Sequence, residues 1–233
     1  MQFIIEDKVF DLLPDVCFGV VVAKGINNEG SNHEINALLK KVLEETRDKF
    51  GDIKPKEHPD ILPYREALKT LGVNPNKFPC SVEALSARIA RGGSLPDINP
   101  VVNLVNTISL KYTLPMGAHD LDAAEDDIVV RFSRNGDLFV PFGETETEKP
   151  DPDELVYARG NSVKTRKWIW RQSDLGKVTG DSTNVFIPID GFSDHNLEKV
   201  IAAGREIAAA ITTFFDTEPA IYLLDQANRS ADL

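Results

Sequence analysis

The stretch NPVVNLVNTISLKYTLPMGAHDLD, residues 99–122, predicts a helix that leads through a proline turn into a polar loop. Asn99 is a favourable N-cap residue. Pro100 suits the first helical position, because the N–H that proline lacks would be unpaired there anyway. Apolar residues then recur at helical spacing, which predicts one buried stripe. Pro115 predicts the end of the helix, since the residue before a proline resists the helical conformation.

Polar residues inside this stretch indicate more than a core helix. Asparagine is a poor interior helix former, yet Asn103 and Asn106 both lie within the predicted helix. The loop carries Gly117, which lets a ligand approach the backbone, and His119 beside Asp120. Two interpretations are open. Either the asparagines bond neighbouring loops and the histidine sits in a turn, or the stretch forms the floor of a polar pocket.

Composition and charge exclude several classes of function. The chain has 233 residues, 42% of them hydrophobic and 27% charged, with a formal net charge of -11. These fractions are ordinary for a globular protein with a sizeable core. An acidic surface repels nucleic-acid backbones, which disfavours DNA binding and general RNA binding. A local basic patch would still be able to hold one RNA end.

Cysteine usage and hydropathy complete these bounds. Cys17 and Cys80 are the only cysteines, and neither has a partner at C-x-x-C spacing, so we predict no metal. No apolar run is long enough to span a bilayer, and no signal-peptide pattern is visible. We expect a cytoplasmic protein without membrane contact or cofactor. The common phosphate-loop, nucleophile-elbow, zinc-protease and dinucleotide motifs are absent.

Helical patterns dominate the first half of the chain and strand patterns the second. This segregation favours an α+β fold, with a mixed β-sheet core of about eight strands and about five flanking helices. No domain boundary is evident, which predicts a single domain over residues 1–233. The predicted strands are 2–5, 16–24, 128–132, 137–140, 154–158, 163–170, 184–190 and 219–224, and the predicted helices are 33–50, 61–68, 81–91, 100–114 and 194–215.

Four details of the second half can be checked directly. An Asn-Gly pair at 135–136 predicts a hairpin of the strands on either side of it. Ser193 predicts an N-cap for the last helix, and the polar tail 225–233 predicts loose order. The alternation over 163–170 places one set of large side chains on a single face. That face is either core with a salt-bridged arginine, or a pocket wall that takes a flat ligand and its carboxylate or phosphate. Its members are Lys164, Arg166, Trp168 and Trp170.

Several motifs resemble one protein family. Residues 99–106 (NPVVNLVN) and 114–122 (LPMGAHDLD) look like the editing domain of the phenylalanyl-tRNA synthetase beta chain. In that family an N-x-V-D-x-x-N helix precedes a proline turn and H-A-F-D-L-D. Further similarities at 81–85, 154–157 and 166–172 follow in family order and span most of the chain. Free-standing relatives of the domain resemble this chain more closely.

The resemblance implies a mixed α+β fold and a specific chemistry. The synthetase domain hydrolyses the ester that joins tyrosine to the tRNA meant for phenylalanine. Such hydrolysis requires an oriented water and donors for the tetrahedral oxyanion. The candidate catalytic residues are Asn103, Asn106, Gly117 and His119, with backbone N–H groups of residues 116–118 facing the oxyanion. The candidate substrate-binding residues are Tyr112, Met116, Asp120, Arg166, Trp168, Trp170, Arg171 and Gln172.

Two departures from the family pattern affect the prediction. Gly117 stands where the family has histidine, so His119 must reach the site from two residues away. The segment 168–173 carries bulky residues where the family has the small residues of Val-x-Gly-Met-Gly-Gly. The pocket should therefore have a different shape, and discrimination between phenylalanine and tyrosine is not implied.

Three hypotheses follow. The first is a stand-alone hydrolase that clears mischarged tRNA in trans. The second is a non-catalytic binder of a free amino acid or tRNA, in which an arginine takes the carboxylate. The third is an interaction domain that retains only the fold and has no cavity. The first is slightly favoured, and whether the chain is an enzyme stays open at this point. It predicts a basic rim that holds the acceptor end of the tRNA, formed by Arg88, Arg91, Lys164, Arg166 and Arg171.

Overall fold

The computed structural model describes residues 1–122 and 126–233 and confirms the α+β class. These ranges contain ten strands and six helices, close to the predicted eight and five. The strands are β1 (Gln2–Ile5), β2 (Val16–Ala23), β3 (His119–Asp120), β4 (Ile128–Phe132), β5 (Leu155–Arg159), β6 (Ser162–Arg166), β7 (Arg171–Gln172), β8 (Val185–Phe192), β9 (Ala220–Leu224) and β10 (Ser230–Asp232). The helices are α1 (Asp7–Leu12), α2 (His33–Lys49), α3 (Leu62–Thr70), α4 (Ser81–Ala90), α5 (Pro100–Tyr112) and α6 (Leu197–Phe215).

The strands form two sheets. One has the order β10-β1-β4-β5-β6-β7 and the other the order β3-β8-β2-β9. Strands β1 and β4 pair in parallel, whereas the other pairings in the described ranges are antiparallel. Strands β2 and β8 are buried along their whole length. Burial on both faces explains the continuous apolar sequence by which β2 was predicted.

Aromatic rings join the two sheets into one core. The ring of Phe3 on β1 stacks on Tyr157 of β5, with ring centroids 5.9 Å apart. The same ring contacts two rings of the other sheet, Phe18 at 5.9 Å and Phe186 at 4.7 Å. Aromatic pairs at these separations stabilise a core beyond their buried area. The cluster fixes β5 of one sheet opposite β8 of the other, and the candidate site lies between these strands.

Helix α5 begins as the sequence predicts. The Asn99 side chain accepts a hydrogen bond from the N–H of Val102 at 2.9 Å, and Pro100 is the first helical residue. After α5 the backbone is tied to β8. The N–H of Asp190 donates to the Pro115 carbonyl at 3.1 Å, and the N–H of Gly117 donates to the Pro188 carbonyl at 3.3 Å. These bonds hold the loop after α5 against β8.

The predicted hairpin around residues 135–136 is wrong. Strand β4 pairs with β1 and β5, whereas the segment after the Asn-Gly pair makes only isolated bridges. A buried ion pair lies at this turn instead. The Arg131 guanidinium donates to both oxygens of Asp137 at 2.7 and 2.9 Å. The N–H of Arg134 adds a third hydrogen bond to this carboxylate. The side-chain network therefore determines this turn.

Three further predictions are corrected. Strand β6 ends at Arg166, because Lys167 and Trp168 adopt left-handed backbone conformations with φ of 48° and 62°. The alternation predicted over 163–170 therefore stops there. The tail is ordered, since β10 pairs with β1. Helix α6 begins after Asn196, three residues beyond the predicted cap. No helix in the described part of the chain is long and apolar enough to cross a bilayer.

Close packing of α6 on the four-stranded sheet requires glycine at position 191. A β-carbon there would lie 2.3 Å from Cγ2 of Val200. We therefore expect Gly191→Ala to lower the free energy of unfolding by about 1–3 kcal/mol, the usual cost of overpacking. Gly204→Ala is the matched control, because its β-carbon would meet its nearest neighbour at 3.7 Å. That helical substitution should be neutral, or stabilising by up to about 1 kcal/mol. Urea unfolding measures both, and an unchanged midpoint for Gly191→Ala would contradict the packing.

Candidate functional site

Two adjoining cavities open beside the loop that follows α5. The inner cavity has a volume of about 90 Å³ and lies between β5, β8 and the turn after β6. The outer groove has a volume of about 420 Å³ and runs along α5. Both are lined by Met116, Gly117 and Gln172, and we call this shared lining the junction. The structure brings these three predicted residues together as one site.

Asp190 lies in the inner cavity and was not predicted. Its side chain is buried, and Oδ1 accepts hydrogen bonds from the Tyr157 hydroxyl at 2.6 Å and from Nε1 of Trp168 at 2.7 Å. Burial raises the pKa of this carboxyl to about 7, although both hydrogen bonds act in the opposite direction. The available signal was a single carboxylate at the end of the apolar run 184–190. Hydropathy alone identifies that run as a strand and does not reveal the cavity beside it.

His119 lines the inner cavity and reaches the junction. Its ring stacks nearly parallel to Tyr157, with centroids 6.0 Å apart. A β-carbon on Gly117 would lie 3.5 Å from Nε2 of His119. The imidazole from position 119 therefore approaches the space that a side chain at position 117 would enter. This geometry shows how a histidine two residues along the chain borders the cavity.

The imidazole of His119 is uncharged at neutral pH. Burial lowers its pKa to about 3, and the nearby cations Lys164 and Arg159 act in the same direction. Its Nδ1 atom is buried without a hydrogen-bond partner among the described residues. An imidazole with so low a pKa is a weak proton acceptor, so its chemistry is that of a neutral hydrogen-bonding group.

The two predicted asparagines have different surroundings. Asn106 lines the outer groove and is partly exposed. Asn103 is fully buried, and its Nδ2 donates to Asn36 at 2.8 Å and to Asp97 at 2.6 Å. Its Oδ1 accepts from the N–H of Ile98 at 3.2 Å. Asn103 thus anchors α5 to α2 and to the preceding loop and does not line either cavity, whereas Asn106 faces the groove.

The aromatic and basic residues of the segment 163–170 also separate. Trp168 and Trp170 line the inner cavity, as the pocket interpretation predicts. Arg166 lies outside both cavities, and its guanidinium donates to Glu154 at 2.9 and 2.7 Å and to Glu148 at 3.0 Å. The salt-bridged core interpretation therefore describes Arg166, and the pocket-wall interpretation describes the tryptophans.

Other predicted binding residues lie outside both cavities. The hydroxyl of Tyr112 donates to Glu206 at 2.7 Å between α5 and α6. Asp120 accepts from the hydroxyl of Ser182 at 2.5 Å. Arg171 pairs with Glu144 at 3.2 Å. These contacts hold elements of the fold together, so the predicted substrate role of each residue has no support from its position.

The predicted basic rim is not continuous. Arg166 and Arg171 are paired with carboxylates, and Lys164 donates to the hydroxyl of Ser162. Arg91 lines a separate groove of about 930 Å³ between the segment 50–56 and α4. That groove contains none of the predicted catalytic or substrate-binding residues. Around these two cavities, Lys177 is the one lysine or arginine that contributes to a lining in the described ranges.

The predicted oxyanion donors are also partly engaged. The N–H of Gly117 donates to the Pro188 carbonyl, so it is not free for a ligand. Ser81 and Thr165 also line the inner cavity. Neither residue was among the predicted site residues. Ser81 begins the family-like segment 81–85, which was the available signal, whereas a threonine in a strand carries no distinctive pattern. The two residues add neutral donors to the site.

The two asparagines predict different responses to substitution. Asn103→Ala removes a fully buried amide together with its three hydrogen bonds, so we expect a loss of about 1–3 kcal/mol in the free energy of unfolding. Asn106→Ala removes a groove-lining side chain and should leave stability within about 0.5 kcal/mol of the original protein. Urea unfolding of both variants tests this difference. Equal losses would contradict the assignment of Asn103 to the interior network.

Asp190 predicts a distinctive dependence of stability on pH. Its pKa rises from 3.8 to about 7 on folding, so the folded protein binds this proton more tightly than the unfolded chain. The resulting stabilisation is complete below about pH 4 and is lost as pH rises through about 7. Asp190→Asn removes this dependence while keeping an acceptor oxygen. Between about pH 4 and 7, we expect the free energy of unfolding of the variant to increase relative to that of the original protein, by at most about 1.4 kcal/mol per pH unit.

Urea titrations of both proteins at several pH values measure this gain. Comparing the two proteins at each pH cancels the contribution of every other titrating group, His119 included. A difference that stays constant from about pH 4 to 8 would contradict the raised pKa of Asp190.

Comparison with known proteins identifies the fold. The B3/4 domain family matches residues 63–208, more than half of the chain. A phenylalanine–tRNA ligase beta subunit from Cutibacterium acnes is 36% identical over 74 residues, which cover 32% of this chain and 9% of that protein. An N-terminal fragment of the phenylalanyl-tRNA synthetase beta subunit from Pyrococcus horikoshii has a TM-score of 0.51 and 14% identity, over 93% of this chain and 49% of the fragment.

These similarities differ in what they establish. At 14% identity, the likeness to the Pyrococcus horikoshii fragment shows the fold alone. This chain spans less than a tenth of the ligase subunit and about half of the fragment, so the activities of those proteins do not transfer with the fold. The family match and the shared fold agree with the resemblance seen in the sequence. The chain therefore belongs to the B3/4 domain family and resembles that part of the phenylalanyl-tRNA synthetase beta subunit.

Proposed function

We propose that the joined cavities bind the aminoacylated end of a tRNA and hydrolyse its ester in trans. The observation that carries this proposal is the adjacency of a cavity of about 90 Å³ and a groove of about 420 Å³, whose linings share Met116, Gly117 and Gln172. An aminoacyl ester also has two parts, a compact amino acid and a larger terminal nucleoside. With the amino acid inside and the nucleoside in the groove, the ester lies at the junction.

Charge favours an ester over a free amino acid. Among the described residues that line the inner cavity, Asp190 is the one carboxylate, and no lysine or arginine is present. A free amino acid would bring a second carboxylate into this buried space without a cation to pair with it, which is costly. Esterification removes that charge. The arginine proposed to take a carboxylate, Arg166, is occupied by Glu154.

The presence of a cavity disfavours a purely structural domain. Trp170 borders the inner cavity and is only partly buried, whereas a domain that retains only the fold would pack it fully. The acidity of the chain still limits RNA binding, since few lysines or arginines are available to meet phosphates. Recognition should therefore rest on the terminal nucleotide and the aminoacyl group. A short aminoacylated acceptor-stem RNA should be as good a substrate as the whole tRNA.

The neutral groups at the junction suit water-mediated ester cleavage. His119 borders the point where the ester would lie, and as a neutral imidazole it can orient the attacking water. With so low a pKa it holds a proton poorly, which leaves the ribose hydroxyl next to the ester as the group that assists proton transfer. The hydroxyls of Ser81 and Thr165 and the amide of Asn106 are uncharged donors for the developing oxyanion.

A deacylation time course tests the proposal. The protein would be mixed with phenylalanine-type tRNA charged with tyrosine, with correctly charged tRNA, and with other mischarged tRNAs. We expect release of the amino acid from at least one mischarged tRNA, and a rate about 100-fold lower for His119→Gln, the usual loss on removing a positioned catalytic group. Asn106→Ala should also slow release, because its side chain faces the groove.

The matched control is His33→Gln, which replaces an exposed histidine at the start of α2 and should release the amino acid at the original rate. Absence of release from every substrate would refute the hydrolase. Equal rates for His119→Gln and the original protein would show that the activity does not depend on this site.

A further inference from the structure

We propose that Asp190 binds the α-ammonium group of the substrate, so that the inner cavity selects aminoacyl esters with a free amine and rejects N-acylated ones. This inference rests on the proposed function and names its substrate class. It makes Asp190 the residue that reads the one cationic group on an aminoacyl ester.

The charge distribution of the inner cavity favours a cationic ligand group. Of the described residues in its lining, only Asp190 carries a full charge at neutral pH when ionised, because His119 is a neutral imidazole. The remaining polar groups are hydroxyls and amides. A buried carboxylate without a cationic neighbour attracts a positively charged ligand group. An aminoacyl ester has such a group on the carbon next to its carbonyl.

The hydrogen bonds of the Asp190 carboxylate leave one of its oxygens available to a ligand. Tyr157 and Trp168 both donate to Oδ1, at 2.6 and 2.7 Å. Neither of these bonds uses Oδ2. Two donors on one oxygen fix the orientation of the carboxylate and leave its other oxygen to accept from a ligand. The pKa near 7 shows that these donors do not fully offset the cost of burial. An ammonium group in contact would lower that pKa and favour the ionised form.

Aromatic rings in the lining of the inner cavity also favour a cation. The rings of Tyr157, Trp168 and Trp170 line the same cavity as the carboxylate. A cation close to the face of an aromatic ring gains electrostatic stabilisation, and more when water is excluded. An ammonium group with an apolar side chain beside it matches this combination. An N-acylated amine is uncharged, so it forms no ion pair with the carboxylate. It is also bulkier, so it fits the cavity less well.

A structural role for Asp190 has to be separated from ligand binding. The carboxylate links β8 to Tyr157 on β5 and to Trp168 after β6, so its removal could simply loosen the cavity. Asp190→Asn separates the two roles, because the amide oxygen still accepts from both donors while the negative charge is lost. A comparison of ligands on the original protein needs no variant at all.

The experiment uses amino-acid amides as probes, because they carry the free ammonium group and lack both the carboxylate and the labile ester. Isothermal titration calorimetry would compare the amides of aromatic and aliphatic amino acids with their N-acetyl counterparts. On the original protein we expect at least one amide to bind, and its N-acetyl form to bind at least about tenfold more weakly. Asp190→Asn should weaken binding of the free-amine amide about tenfold or more and remove the difference between the pair.

Asp11→Asn is the matched control, since it removes the same charge from an exposed position on α1 and should bind as the original protein does. Equal affinity for an amide and its N-acetyl form, or no binding of any amide, would overturn the inference. Equal amide affinity in Asp190→Asn would overturn it too. Deacylation measured on the same preparations distinguishes the two proposals. Hydrolysis without amine selectivity refutes only the role of Asp190, and amine-selective binding without hydrolysis refutes only the enzyme.

Discussion

The structure depends on one buried carboxylate that the two sheets share. Asp190 lies on the buried strand β8 and accepts hydrogen bonds from Tyr157 of the other sheet and from Trp168 in the turn after β6. Burial of a carboxylate is unfavourable, and two neutral donors offset only part of that cost. The raised pKa of Asp190 reflects the remainder. Asp190, Tyr157 and Trp168 connect the two sheets and also line the inner cavity, so the same residues contribute to the fold and to the site.

Local patterns were sufficient for the elements that carry the site. Asn99 and Pro100 predicted the start of α5 because capping and proline geometry act within one turn of helix. The apolar run of β2 predicted a buried strand. Where prediction failed, distant partners determined the structure. A buried Arg131–Asp137 ion pair lies at the turn where the hairpin at 135–136 was predicted, and β10 is ordered by pairing with β1 at the other end of the chain.

Residue type alone did not separate site residues from structural ones. Asn103 and Asn106 lie on the same helix, but Asp97 and Asn36 occupy only the first of them. Arg166 is two residues from Trp168, yet Glu154 holds the arginine outside the cavity. Such partners cannot be assigned from the helix or strand period. Once these residues are paired, the cavity keeps rings, neutral donors and one carboxylate, which makes a cationic, partly apolar ligand group its best match.

The central claim is that cavity and groove form one site for the two parts of one ligand. A crystal structure with a non-hydrolysable analogue, adenosine whose 3′-oxygen is replaced by an amide link to an amino acid, tests this most directly. We expect the aminoacyl group in the inner cavity, the adenosine in the outer groove along α5, and the linkage beside Gly117 and His119. An analogue bound elsewhere, or with its adenosine in the inner cavity, would contradict it.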